Sequence, residues 1–240
     1  MIDTLYIVMP AYNEEANIEE VIREWHPVCE RIQAEGNVAK LVIANDGSKD
    51  STYQRMLDLQ AKYPHLLPLD KPNGGHGATV LYLYRKAMAD GANYVFQTDS
   101  DGQTRPDEFW PMWEQRAAFD FQIGTRGGRQ DGFSRVVVTK TLRLVVWLMF
   151  HVWVKDANTP FRLMKTDKLL PILEVIPVDY NLANVAVSAI AVRWNYNIRW
   201  QPITFRPRQG GVNSINMKRI FKIGWKALTD FRTINRNLRK

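Results

Sequence analysis

The chain has 240 residues, 45% hydrophobic and 24% charged, an ordinary globular composition with enough core for one large α/β domain or two small ones. Its single cysteine, Cys29, excludes a disulfide framework and a cysteine zinc site within the chain and suits a reducing, cytosolic setting. The net charge of +7 is uneven: residues 205–240 carry ten Lys and Arg against one acid, Asp230, so this tail points to a local anionic partner.

Met1-Ile2-Asp3 leads straight into TLYIVM, a buried strand that Pro10 ends, with no targeting signal visible. In EEANIEEVIREW, Ile18, Val21, Ile22 and Trp25 recur at helical spacing behind a first turn of acids. KLVIAN is the next strand, DGSKDST breaks it, and STYQRMLDLQAKY is a helix. LLPLDK, GATVLYLYRKAMADG, YVFQTD, DEFWPMWEQRAA and FDFQIGT continue as strand, helix, strand, helix and strand. Repeated βα units predict an α/β fold, a mainly parallel sheet with helices on both faces. Sites in such sheets lie beyond the carboxyl ends of the strands. Tyr12-Asn13-Glu14, Asn45-Asp46-Gly47-Ser48, Asn73-Gly74-Gly75 and Asp99-Ser100-Asp101 all fall there, so one pocket would collect them.

The second half is less regular. GTRGGRQDGFSR is a Gly/Arg-rich loop. VVVTKTLRLVVWLMFHVWVK is strongly apolar, but its longest uncharged stretch, residues 144–154, has 11 residues against roughly 20 needed to span a bilayer. It reads as a core helix or as one lying in a membrane interface. NLANVAVSAIAVRW is a helix and IRWQPITFRPR a strand. Within 216–240, Met217, Phe221, Leu228, Phe231 and Leu238 make an apolar stripe beside Lys218, Lys222, Arg232, Arg236 and Arg239. This basic amphipathic helix suits an anionic membrane surface or docking on the domain.

Asp99-x-Asp101-Gly102-Gln103 is not an EF-hand loop, because its sixth position is Thr104 and its twelfth Trp110. A glycosidase pair needs carboxylates roughly 5–9 Å apart across a sugar, which neighbouring loop residues do not supply. A solvated turn and a site for a hard divalent cation against a diphosphate remain, and the position after YVFQT favours the cation. KPNGGHGAT has neither a dinucleotide fingerprint after the first strand nor a G-K-[ST] element, and reads as a turn capping the next helix. Arg126, Arg129, Arg135, Arg162, Arg206 and Arg208 read singly as solvated charges and together as a phosphate-binding set. His76 and His151 read as structural.

VMPAYNEEANI, IANDGSKDST, KPNGGHGA, TDSDGQTRPDEF and DANTPFRLMK, in this order and spacing, resemble the inverting GT-A glycosyltransferases of family 2 over nearly the whole chain. The D-x-D-x-Q form, Arg126 with Arg135, and FRPRQGGVNS resemble the dolichyl- or polyprenyl-phosphate sugar transferase branch. The resemblance implies a GT-A catalytic domain over 1–215, with a nucleotide-binding half at 1–125 and an acceptor half at 126–215, followed by the C-terminal helix at 216–240. It implies a nucleotide-sugar donor, of GDP-mannose or UDP-glucose type, and Mg²⁺ or Mn²⁺ as cofactor. By position, Pro10, Tyr12, Glu14, Ala44, Asp46, Asp99 and Ser100 would bind the nucleotide. Asp99, Asp101 and Gln103 would sit at the metal, while Arg126, Arg135 and Arg208 would hold phosphates of donor and acceptor. Asp156 matches the acid before the family's T-x-F-R-like segment, although Pro160 stands where a Gly is usual.

Displacement at the anomeric carbon builds negative charge on the leaving diphosphate, which a metal and fixed arginines stabilise. A hydroxyl acceptor, as in glycan or glycolipid synthesis, would need a general base, for which Asp156 is the candidate. A lipid monophosphate, with a second pKa of roughly 6, is already a nucleophilic dianion at pH 7. The expected partners are a nucleotide sugar, a polyprenyl or dolichyl phosphate and a membrane surface, met peripherally on its cytoplasmic face, and no nucleic acid. A non-catalytic nucleotide-binding protein that docks on membranes is the alternative from another class.

Overall fold

The computed structural model describes residues 2–126, 146–148, 150–206, 231, 234 and 236. Seven strands form one sheet in the order β3-β2-β1-β4-β6-β5-β7. They are β1 (Thr4–Ala11), β2 (Val38–Asp46), β3 (Leu66–Lys71), β4 (Tyr94–Gln97), β5 (Phe121–Arg126), β6 (Arg162–Lys165) and β7 (Ile198–Ile203). β1 pairs in parallel with β2 and β4, β2 with β3, and β5 with β7, while β6 is antiparallel to both β4 and β5. The sheet is therefore mainly parallel, as the βα alternation predicts, and β6 and β7 of the second half extend the sheet of the first.

The helices with fully described bounds are α1 (Ile18–Ala34), α2 (Thr52–Leu59), α3 (His76–Ala89), α4 (Trp110–Glu114), α5 (Thr166–Val175) and α6 (Ala183–Arg193). A 3₁₀ turn at Pro106–Phe109 leads into α4. The period-2 alternation of β1 divides the core. Leu5, Ile7 and Met9 pack with α1, with Met56 of α2 and with Phe109, Met112 and Trp113. Tyr6 and Val8 face the other way, onto buried residues of α3, α5 and α6. On the first face Phe96 is ringed by Trp25, Phe109 and Phe161 at 5.4, 4.8 and 4.7 Å between ring centroids. Each such buried aromatic contributes roughly 2–3 kcal/mol.

Several elements differ from the sequence expectation; α2, α4 and β7 are shorter than expected. β1 continues through Pro10 to Ala11, because its pairing with β4 stops at Val8 and the missing proline donor interrupts no ladder on that side. α1 continues to Ala34, carrying the buried stripe onward through Val28, Cys29 and Ile32. β6 and α5 were not expected at all.

In the apolar 136–155 stretch, residues 146–148 and 150 are helical. Val146, Phe150 and Val154 are buried, while Trp147, Leu148 and Trp153 are exposed. Phe231 and Ile234 of the tail are buried in the same core, with Phe231 lying edge-on to Phe150 at 5.0 Å, and Arg236 is exposed. The remainder of the expected 216–240 helix, and the Gly/Arg-rich loop from 127 on, lie outside the described residues. Among the described residues no helix is long and apolar enough to cross a membrane.

Candidate functional site

The sheet order sets β2 and β4 on either side of β1, so the chain reverses its direction of travel across the sheet at the β1–β4 boundary. A crevice opens at such a switch point, beyond the carboxyl ends of the strands. Here it is an open cleft of about 450 Å³, lined from the ends of β1, β2 and β4 and from the loop after β3. That volume suits a small-molecule ligand.

Two of the lining loops are zipped together. Asn13 N–H donates to the Ser48 hydroxyl (2.9 Å) and Lys49 N–H donates to Asn13 Oδ1 (2.9 Å). Glu14 N–H donates to the Thr52 hydroxyl (2.8 Å), and Ser51 N–H to Glu15 Oε2 (3.0 Å). Asn13 takes φ +54°, a left-handed conformation that asparagine tolerates better than most residues. The A-Y-N-E-E and D-G-S-K-D-S-T stretches thus form one rigid wall.

Asp46, at the end of β2, organises the second wall. Its carboxylate accepts the Lys71 ammonium and the backbone N–H groups of Gly74 (2.8 Å) and Gly75 (2.9 Å). Burial pushes this carboxyl up, but the Lys71 ammonium, the Gly74 N–H and the Thr79 hydroxyl outweigh it and hold the group below its ordinary value. Gly47 lies under the loop with φ +65°, and a Cβ there would come 2.8 Å from Asn73 N. No other residue fits. KPNGGHGAT therefore does more than cap α3: it is folded around a buried carboxylate.

The third wall is the carboxylate turn. The Ser100 hydroxyl donates to the Pro10 carbonyl (2.8 Å), tying the turn to the end of β1. Gly102 takes φ +71°, and Gln103 N–H donates to Asp101 Oδ1 (3.1 Å). His76, first residue of α3, reaches across to Asp99, with Nε2 3.1 Å from Oδ1. Burial opposes charge on this imidazole, but Asp99 beside it, with Asp46 and Asp101, raises it above its ordinary value. Among the described residues no three His, Cys, Asp or Glu side chains form a metal cage. Two oxygen-donor carboxylates fit a hard cation that takes its other ligands from phosphate and water.

The cleft brings together Pro10, Tyr12, Glu14, Asp46, Asp99, Ser100 and Asp101 of the expected site. Ala44 is fully buried in the core of β2 and does not line it. The Gln103 side-chain amide donates to the Arg206 carbonyl (3.1 Å), and the Arg206 guanidinium pairs with Glu24 (2.6 Å). Arg162, expected as a solvated charge, is fully buried and donates to the Thr159 and Asn184 carbonyls and the Ser188 hydroxyl. Asp156 is half-buried, away from the cleft lining, and accepts from Asn158 N–H (3.3 Å). Arg126 ends β5; Arg135 and Arg208 lie outside the described residues. Lys71 and His76, which meet Asp46 and Asp99 in the structure, are not among the site residues expected from sequence. The signal for Lys71 was its place at the carboxyl end of a strand, and for His76 its place in a glycine-rich loop.

Comparison with known proteins adds identity to this geometry. A family model described as glycosyl transferase family 2 matches residues 6–150. A UDP-N-acetylglucosamine–dolichyl-phosphate N-acetylglucosaminyltransferase of Methanococcus voltae is 25% identical, across 93% of this chain and 94% of that protein. A dolichyl-phosphate beta-glucosyltransferase of Trichomonas vaginalis is 30% identical across 78% of this chain and 64% of its own length. An undecaprenyl-phosphate 4-deoxy-4-formamido-L-arabinose transferase of Pseudomonas fluorescens is 27% identical across 65% of this chain. The chain spans only 45% of that relative. Among solved structures, glucosyl-3-phosphoglycerate synthase from Mycobacterium tuberculosis, in complex with Mn²⁺, UDP-glucose and phosphoglyceric acid, matches with a TM-score of 0.66 at 17% identity. The match covers 95% of this chain and 80% of that one. The shared architecture is the GT-A fold.

Proposed function

The chain belongs to glycosyl transferase family 2, and we propose that it transfers a hexose, with inversion, from a nucleotide sugar of GDP-mannose or UDP-glucose type to a polyprenyl or dolichyl phosphate. The observation that carries this reading is the pair Asp99 and Asp101, set on a turn locked to β1 and facing a cleft at the switch point of the sheet. The names of the Methanococcus, Trichomonas and Pseudomonas relatives, all lipid-phosphate sugar transferases, support the acceptor class.

Asp99 and Asp101, with Gln103, would hold Mg²⁺ or Mn²⁺; the Mn²⁺ and UDP-glucose bound by a protein of the same fold support a divalent ion. When bound, such an ion stabilises the negative charge that develops on a leaving diphosphate. Pro10, Tyr12, Glu14, Asp46 and Ser100 would surround the nucleoside, with Ala44 supporting them from the buried end of β2. His76 meets Asp99 and would lie beside the same diphosphate. Arg126, Arg135 and Arg208 would hold the phosphates of donor and acceptor. A dianionic lipid phosphate needs no proton removed, so the chain's task is to align it with the anomeric carbon. Asp156 would be required as a base only for a hydroxyl acceptor.

The exposed Trp147, Leu148 and Trp153, together with ten basic residues in 205–240, support work at the cytoplasmic face of a membrane. Calorimetric titration with UDP and GDP, with and without Mn²⁺, tests the donor half. Binding that needs Mn²⁺ and is lost in Asp101→Ala is the expected result. Equal binding without the ion, or in the variant, overturns the assignment.

A further inference from the structure

Residues 201–206, where β7 leaves the sheet, are fastened to Gln103 of the carboxylate turn and to the 3₁₀ turn that follows it. Thr204 N–H donates to both oxygens of Glu108 (2.9 and 3.0 Å), and the Gln201 amide donates to the Glu108 carbonyl (3.0 Å). Arg206 N–H donates to the Gln103 carbonyl (2.8 Å), and the Gln103 side-chain amide donates back to the Arg206 carbonyl (3.1 Å). The Arg206 guanidinium then closes on Glu24 of α1. On its other side, Gln103 N–H donates to Asp101 Oδ1 (3.1 Å). One residue therefore grips a cleft carboxylate with its backbone N–H and Arg206, beyond the end of β7, with its carbonyl and side chain.

We propose that Gln103 is a positioning residue that couples the diphosphate–cation site to the exit of β7, so that binding at the first increases order at the second. The inference rests on the donor-site reading above. A primary amide has two chemically distinct ends. With Nε2 committed to Arg206, Oε1 remains as an oxygen donor of the kind a hard cation takes. A cation on Asp101 restricts the carboxylate that Gln103 N–H already holds, and that restraint passes through Gln103 into Arg206. Such coupling is reciprocal: an ordered 204–206 segment favours the cation by the same factor.

Hydrogen–deuterium exchange of the full chain, read on the peptide that contains Thr204 and Arg206, tests this without an acceptor or turnover. Saturation with Mn²⁺ and UDP or GDP is expected to slow exchange there by about fivefold or more. Gln103→Glu keeps a side-chain oxygen and the backbone N–H to Asp101, and loses the side-chain N–H donor to the Arg206 carbonyl. It is expected to bind Mn²⁺ and nucleotide more weakly, by about the factor of coupling it loses, and to gain less protection on saturation. Glu24→Gln releases the Arg206 guanidinium without touching the turn; it is expected to exchange faster at rest and still gain protection on binding. Binding without added protection in the parent chain, or full coupling in Gln103→Glu, overturns this inference alone. Absence of any Mn²⁺-dependent nucleotide binding overturns the donor-site reading and this inference with it.

Discussion

The Asp46 carboxylate and the Lys71 ammonium are paired where β2 and β3 end, with only 4% of the first side chain and 16% of the second reaching solvent. Removing one partner of a buried pair leaves a charge without compensation. Lys71→Met is therefore expected to lower stability by about 3 kcal/mol in a urea melt, since Gly74 and Gly75 still donate to Asp46. The folded carboxyl is held below its ordinary value, so its contribution is present above the unfolded value of about 3.9 and is lost as pH falls through the lower folded one. Loss of less than about 1 kcal/mol would mean that Asp46 is held by the glycine amides alone.

Gly77 is the point where the glycine-rich loop meets the second half of the chain. A Cβ there would come 2.3 Å from the carbonyl oxygens of both Tyr180 and Asn181. Backbone on both sides leaves no side chain to give way, so Gly77→Ala is expected to cost about 3 kcal/mol. Gly91, with φ +80° and nothing within 4 Å, supplies the comparison: Gly91→Ala carries only the left-handed backbone cost, about 1 kcal/mol. Paired chemical melts read the difference, and equal costs would contradict the packing argument.

The first four strands and their polar ends were legible in the sequence because each is a short apolar run closed by turn residues, a pattern that depends on neighbours in sequence. β6 and α5 were not. RLMK is only four residues, and TDKLLPILEV carries Pro171 inside its helical turns. Arg162 was misread for a related reason: its burial depends on the carbonyls of Thr159 and Asn184, and the latter is 22 residues away. The place of His76 in the cleft was not legible because Asp99, its partner, lies 23 residues further along. Local pattern gives the element; it cannot show which distant group will meet a side chain.

His26 offers a prediction on pH. It is buried on α1, stacked on His65 with ring centroids 5.2 Å apart, edge-on to Tyr63 at 5.0 Å, and has Glu30 3.5 Å from Nδ1. Burial lowers this imidazole below its ordinary value; Glu30 opposes the shift and His65 adds to it. The unfolded chain, with a value of about 6.5, thus binds the proton more readily than the folded one. Stability is full above that pH and declines as pH falls through it, levelling off below the folded value. Urea midpoints at pH 7.5 and 5.5 should fall for the parent chain, and fall less for His26→Phe. An unchanged difference between the two would remove His26 as the cause.

Transfer of a sugar to a lipid phosphate is proposed to run through the cleft that holds Asp99 and Asp101. Mass spectrometry of reactions containing Mn²⁺ or Mg²⁺, a panel of nucleotide sugars and a polyprenyl phosphate tests it most directly. The expected product is a lipid-linked monosaccharide from one donor, reduced by about 100-fold or more in Asp101→Ala. Donor consumed while the lipid stays unmodified, or undiminished product from the Asp101→Ala protein, would contradict it.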